Sequence, residues 1–154
     1  MNKFTGLMAR RVAETFIGLL LLALATLAHA EMVSVSINEA NLRSGAGSTH
    51  PVQWRVIKGF PLEVITRQGN WLQVRDFEGD VTWIYSDSVS DKPFVIVTGD
   101  IVNLRSEPST TSRIVSKVEY GSVLERLEVK GDWVKVKIGS TTGWIAASYV
   151  WGAK

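Results

Sequence analysis

The side chains of this 154-residue chain that could do chemistry are His50, the carboxylates Asp76, Glu78 and Asp80, and six tryptophans. A catalytic imidazole needs a nucleophile beside it, a thiol or an activated serine. The chain has no cysteine, so a thiol–imidazole pair cannot be built. A serine triad would have to centre on His50, which precedes Pro51 in a long loop and reads as a surface histidine. Zinc needs three or four converging ligands, which His50, the one histidine beyond residues 1–30, and scattered carboxylates do not supply, so neither a metal site nor a cofactor is expected. Two carboxylates flanking a bond could cleave a glycoside. Asp76, Glu78 and Asp80, however, crowd into one hairpin tip, where acids read as solvated side chains. Binding rather than catalysis is the expectation, and the aromatic rings are the place to look for it.

The elements that would position those rings come in duplicate. Asn41, Leu42, Arg43 and Ser44 recur as Asn103, Leu104, Arg105 and Ser106. At the same offset of 62 positions Gly59 falls on Gly121, Leu62 on Leu124, Gly69 on Gly131, Trp71 on Trp133 and Val74 on Val136. After one deleted position Trp83 and Ile84 align with Trp144 and Ile145, and the gap between Asp76 and Thr82 belongs in a hairpin loop, where length varies most freely. His50 has Ser112 as its counterpart, so the copies do not share it. The expected units are residues 31–91 and 92–154, joined by Ser90, Asp91, Lys92 and Pro93, too few residues for free tumbling. Domains of about sixty residues are marginal alone, so packing of one copy on the other would add burial.

Residues 1–30 form a separate segment. Lys3, Arg10 and Arg11 precede an apolar run from Phe16 to Leu27 that ends in Ala28, His29 and Ala30. This reads as a secretory signal peptide with an Ala-x-Ala cleavage site. The run is shorter than the roughly twenty residues of a membrane-spanning helix, and Glu14 stops it from growing; an uncleaved anchor is the other reading. The product should begin at Glu31, carry no lipid on a cysteine, leave the membrane and reside in the periplasm or outside the cell. Of 17 basic and 15 acidic side chains, the leader holds three and one, which leaves the exported chain balanced at 14 of each. That balance argues against nucleic acid or an anionic membrane as partner. Residues 31–91 nevertheless carry 5 basic and 8 acidic groups, and residues 92–154 carry 9 and 6. The asymmetry reads either as drift between copies or as attraction between the units, within one chain or head to tail in self-association.

Within each copy the pattern is short, alternating and β-branched, with turn residues every eight to twelve positions, and no stretch beyond the leader sustains a helical period. Val33, Val35 and Ile37 alternate with Ser34 and Ser36, so the first strand should bury one face only. Gly69 with Asn70, and Gly131 with Asp132, should close hairpins at the tryptophan that follows. Second hairpins should turn at Glu78–Asp80 and at Ser140–Gly143. The count is five to six short strands per copy in an all-β fold of two tandem small barrels.

These residues resemble the bacterial Src-homology-3-like (SH3b) domain: a strand bearing Asn-Leu-Arg-Ser, a long loop, a glycine, a Gly-x-Trp-x-x-Val hairpin and a closing Trp-Ile turn. The second copy carries Asn103 to Ser106, Pro108, Gly121, Gly131, Trp133, Val136, Gly143, Trp144 and Ile145. The first carries Asn41 to Ser44, Gly59, Gly69, Trp71, Val74, Trp83 and Ile84. The resemblance implies two partly open SH3-like β-barrels and a binding role at the cell envelope, on peptidoglycan or its stem peptides. The alternative is a scaffold that recruits an envelope protein. Relatives that grip polyproline use a proline and tyrosine in the closing turn. Of these only Tyr149 stands here, with Tyr85, Ser86, Asp87 and Ser88 in the first copy, which puts polyproline recognition in doubt.

Trp71, Trp133, Tyr85 and Tyr149 are the ligand-binding candidates. Trp71 and Trp133 lie on the opposite strand face from Val74 and Val136, either to carry a ligand or to cover the open edge of the barrel. Trp83 and Trp144 should pack inward or brace the barrel end. Trp54, Phe60 and Trp151 should form the inter-domain contact or an exposed partner patch, and Arg126 belongs with them. Arg126 occupies the position of Val64, to snorkel at the rim, pair with an acid of the first copy, or mark a different register. Arg43 and Arg105 should hydrogen-bond the carbonyls of the long loop, with carboxylate binding as the other role.

Overall fold

The computed structural model describes residues 30–153, so the leader expected at residues 1–30 lies outside them apart from Ala30. The first half contains β1 (Glu31–Val35), β2 (Glu39–Arg43), β3 (Val52–Ile57), β4 (Pro61–Gln68), β5 (Trp71–Arg75) and β6 (Val81–Tyr85). A 3-10 turn at Ser86–Ser88 leads into β7 (Val89–Ser90). The second half repeats this as β8 (Phe94–Val97), β9 (Ile101–Arg105), β10 (Ile114–Glu119), β11 (Val123–Lys130), β12 (Trp133–Ile138) and β13 (Thr141–Ala146). A 3-10 turn at Ala147–Tyr149 then precedes β14 (Val150–Trp151). The strands form two seven-stranded sheets of identical order, β3-β2-β6-β5-β4-β1-β7 and β10-β9-β13-β12-β11-β8-β14. Among the described residues the end strands of each sheet, β3 and β7 or β10 and β14, are not paired with each other. Seven strands replace the expected five to six. The additional ones are β7 and β14, and two residues are too short to show a period.

Alternation builds both cores. Leu42, Leu62, Leu72, Val74 and Ile84 fill the first, and their repeat partners Leu104, Leu124, Val134, Val136 and Ile145 fill the second. Each such side chain contributes about 1.5–3 kcal/mol of transfer free energy. The Gly69-Asn70 and Gly131-Asp132 hairpins close on the Gln68–Trp71 and Lys130–Trp133 pairs. Gly69 and Gly131 have φ of 58° and 56°, and among the described residues no non-glycine residue has positive φ. Positive φ at the first central residue alone is what a type II′ turn requires.

Two expectations are corrected. In the second copy the later hairpin turns at Gly139 and Ser140, closing on Ile138 and Thr141, instead of at Ser140–Gly143. Gly139 supplies the positive φ, 55°. Gly143 lies inside β13, where a Cβ would come within 3.0 Å of Val115 and 3.2 Å of the Arg105 carbonyl oxygen, so glycine serves packing there. The second correction concerns β1, which is buried on both faces. Val33 and Val35 enter the core, yet Ser34 is only 1% exposed, and its hydroxyl donates to the Lys92 carbonyl at 2.6 Å. In β8 the equivalent Ile96 is buried outside the second core.

The same face continues into contacts between the halves. Phe60 meets Phe77 edge-on at 6.1 Å, Phe77 meets Tyr120 at 5.6 Å, and the Tyr120 hydroxyl donates to Glu78 at 2.8 Å. Gly59, with φ of 86°, abuts the second half so closely that a Cβ would lie 2.8 Å from the Phe94 ring and 3.0 Å from Val123. The ion pairs among the described residues, Arg55–Glu39, Arg67–Glu31, Arg75–Glu63 and Lys92–Glu125, each stay within residues 31–91 or within 92–154. Apolar and aromatic contact, rather than ion pairing, therefore joins the two sheets.

Candidate functional site

A cleft opens at the same place in both halves. In the first it has a volume of about 600 Å³ and in the second about 320 Å³. Asn41, Arg43, Ser48 and Trp71 line one; their repeat counterparts Asn103, Arg105, Thr110 and Trp133 line the other. The type II′ turn places each tryptophan as the first residue of its strand, half-buried and outside the core cluster. Leu72 and Val74 then point inward and leave Trp71 and Gln73 on the outer face.

Each cleft also has one tyrosine, contributed from a different position. Tyr85 lies directly across the ladder from Trp71, their rings edge-on at 5.6 Å and 61°. The residue across from Trp133 is Ala146, and the second cleft takes Tyr149 from the end of its 3-10 turn. Ser88 occupies the place of Tyr149 in the first cleft. The exchange is matched on the facing wall. A Cβ on Gly99 would lie 2.7 Å from Val102 and 3.0 Å from the Tyr149 ring, whereas the repeat counterpart of Gly99 is Ile37, which lines the first cleft with Ala40 and Ser88. Glycine, valine and tyrosine in one copy replace isoleucine, alanine and serine in the other.

The arginines anchor the long loop, as the loop-bonding expectation requires. Arg43 Nη1 donates to the His50 carbonyl and Arg105 Nη1 to the Ser112 carbonyl, both at 2.8 Å. The His50 ring lies over Gly45, where a Cβ would come within 2.7 Å of it, so this histidine packs its own loop. Trp83 and Trp144 stand across from Arg43 and Arg105 in the sheet. Trp144 is buried, with the Lys135 ammonium 5.8 Å from its ring centre.

The remaining candidates separate. Phe60 joins the inter-domain aromatic chain. Trp151 lines a notch of about 640 Å³ between the halves together with Met32 and Glu63. Arg126 finds no acid within salt-bridge distance among the described residues; its Nη1 donates to the Ala153 carbonyl at 3.0 Å, and a register shift follows it in β11. Trp54 is 54% exposed on the edge strand β3, where it shares a notch with Asp80 and Val81. Sequence reasoning missed Phe77, Tyr120 and Gly99, which lie in turns and connections without a period, and it placed Ile37 in the alternation of the first strand, whereas Ile37 lies beyond β1, is exposed and lines the first cleft. The offset alignment of Gly99-Tyr149 with Ile37-Ser88 was the available signal for Gly99 and Ile37.

Two groups titrate abnormally. Burial pushes the Asp76 carboxyl above its ordinary 3.8, against the lowering effect of N–H groups from Asp80 and Glu78 that bond its Oδ1 at 2.9 and 3.0 Å. The hydrogen bond to Glu78 raises the Tyr120 phenol above 10.0. Among the described residues no group of three metal-binding side chains occurs.

Seven-stranded antiparallel sheets in tandem, with an aromatic and arginine cleft in each, define a duplicated small β-domain. Residues 36–91 and residues 100–150 each match the bacterial SH3 domain, and together the matches cover more than two thirds of the chain. The chain belongs to the bacterial SH3 domain family, in two tandem copies. It is 27% identical over 136 residues to YrvJ of Bacillus subtilis strain 168, whose name places it with the N-acetylmuramoyl-L-alanine amidases. The match covers 81% of this chain and 26% of that protein, so the chain spans about a quarter of the relative's length. Among solved structures, NlpC2 from Trichomonas vaginalis is 14% identical, with a TM-score of 0.38 over 80% of this chain and 48% of that one. An NlpC/P60 family protein from Bacillus cereus ATCC 10987 is 16% identical, with a TM-score of 0.36 over 78% and 55%. The CBD of endolysin LysPBC5 is 19% identical, with a TM-score of 0.32 over 80% and 94%.

Proposed function

We propose that the protein is a non-enzymatic, exported binding protein whose two clefts hold a cell-envelope ligand, peptidoglycan or its stem peptides. The observation that carries this reading is the duplication of the cleft: both copies keep a tryptophan, a tyrosine and an arginine outside the core, although the tyrosine comes from different positions. Flat rings beside an open groove suit sugar faces and extended peptide backbone. Likeness to YrvJ supports the envelope as the setting, because that protein is named as an N-acetylmuramoyl-L-alanine amidase. A repeating polymer also suits two clefts on one chain, since occupation of the first raises the effective concentration at the second.

A second reading, recruitment of an envelope protein, draws on Trp54. Its ring lies exposed on β3, whereas the repeat counterpart on β10 is Ser116, so the fold does not require an apolar residue there. The opposite charges of the two halves remain available for head-to-tail self-association. Sedimentation of the purified protein with isolated peptidoglycan sacculi, at low and moderate salt, separates the readings. Salt-resistant pelleting supports the cleft reading. Protein left in the supernatant until envelope extract is added supports the scaffold.

A further inference from the structure

Arg43 and Arg105 do more than tether a loop. A guanidinium carries five N–H donors and stays charged at every relevant pH. In each cleft one nitrogen serves the loop carbonyl, through Nη1, and the other donors are not hydrogen-bonded to any group among the described residues. Neither arginine has a carboxylate within 4.0 Å; the ion pairs among the described residues involve Arg55, Arg67, Arg75 and Lys92. A half-buried cation held by its loop thus lines each cleft beside an indole and a phenol, twice, at the same position. A loop tether alone would be satisfied by any donor, whereas a fixed planar fork in a groove is complementary to a carboxylate.

We infer that the two clefts bind the free carboxylate end of a short peptide, with Arg43 and Arg105 gripping the carboxylate and the Trp–Tyr walls holding the residues before it. This rests on the envelope-peptide reading and names the chemical group that the site selects. A phosphate dianion fits less well. Each cleft has one arginine only, matching the single charge of a carboxylate, and the acids that line the clefts, Glu39 (3.9 Å from Arg55) and Asp100, disfavour a dianion more than a monoanion. A bare glycan would leave the cation without a partner.

The test uses N-acetyl-alanyl-alanine as the free acid and as the C-terminal amide, each in L,L and D,D forms, titrated into the purified protein while indole N–H resonances are followed. The acid of at least one stereochemical form should bind tenfold or more tightly than its amide, the scale of a charge-assisted pair. Arg43→Lys with Arg105→Lys keeps both charges and a donor for the loop, and should reduce that preference several-fold at unchanged melting temperature. If this variant does not fold, the acid-against-amide comparison on the unaltered protein decides alone. Equal affinity for acid and amide, no binding of either, or equal competition by inorganic phosphate overturns the inference. Sacculus pelleting with no preference for acid would sink the carboxylate assignment and leave the envelope reading standing. Preference for acid without pelleting would do the reverse.

Discussion

Gly59→Ala and Gly121→Ala form a matched pair of perturbations. The two glycines are repeat counterparts with φ of 86° and 77°, so a side chain strains both backbones alike, by about 1–2 kcal/mol. Loss of glycine entropy from the unfolded chain offsets part of that, by about 0.4–1 kcal/mol at both sites. Their surroundings differ. Nothing lies within 4 Å of a Cβ on Gly121, whereas a Cβ on Gly59 meets the Phe94 ring at 2.8 Å and Val123 at 3.0 Å. Subtracting one variant from the other cancels the local terms and leaves overpacking against the second half, about 1–3 kcal/mol. Urea unfolding of both variants reads the difference, and small-angle scattering reports whether Gly59→Ala relieves the clash by swinging the halves apart. Gly59→Ala should cost more by that margin or expand the molecule. Equal losses and an unchanged radius of gyration would refute the close packing of the two sheets at Gly59.

Further outcomes follow from the loops and the clefts. Asp76→Asn keeps the oxygen that accepts the Glu78 and Asp80 N–H groups and removes a charge that burial disfavours. A raised folded-state pKa means that the wild type has this stabilisation fully below pH 3.8 and loses it as the pH rises through the folded value. The variant should therefore melt higher than wild type near neutrality and alike below pH 3.8, and a lower neutral melting point would show that the charged acceptor matters more than its burial. Trp71→Ala removes an edge-on ring contact but no core side chain, so it should cost about 0.5–1.5 kcal/mol in denaturant unfolding, against the 3–5 kcal/mol of a buried tryptophan. The larger loss would assign the ring to covering the sheet edge. Gly99→Ile should cost about 1–3 kcal/mol by crowding Val102 and Tyr149, which lie 2.7 and 3.0 Å from a Cβ there, and combining it with Val102→Ala and Tyr149→Ser, the residues of the first copy, should cost less than the separate losses added together; strictly additive losses would break the proposed exchange of partners.

Local periodicity made much of this legible. Leu72 and Val74, or Val134 and Val136, are buried because strand geometry alternates faces, and Gly69 and Gly131 turn hairpins because glycine alone takes positive φ without strain. The offset of 62 positions carried each such reading from one copy to the other. What could not be read was set by partners distant in sequence. Ser34 alternates as a solvent-facing residue should, yet Lys92 and the second half cover it. Phe77 and Tyr120 lie in a loop and a turn of separate copies and meet only once the sheets pack. Gly143 looked like a turn residue, and the crowding from Val115 that makes it a strand residue is a tertiary fact. For the site, Trp71 and Trp133 stood out by their hairpins. Which tyrosine each would face depended on the ladder in one copy and on the space left by Gly99 in the other.

The central claim is that two equivalent aromatic clefts bind the cell envelope, and sedimentation with purified sacculi tests it most directly when run on the wild type, Trp71→Ala, Trp133→Ala and the double variant, each checked for folding. The account predicts salt-resistant pelleting of the wild type, weaker pelleting of each single variant, and a double variant that stays folded and in the supernatant. A wild type that does not pellet, or a folded double variant that pellets as the wild type does, would contradict it.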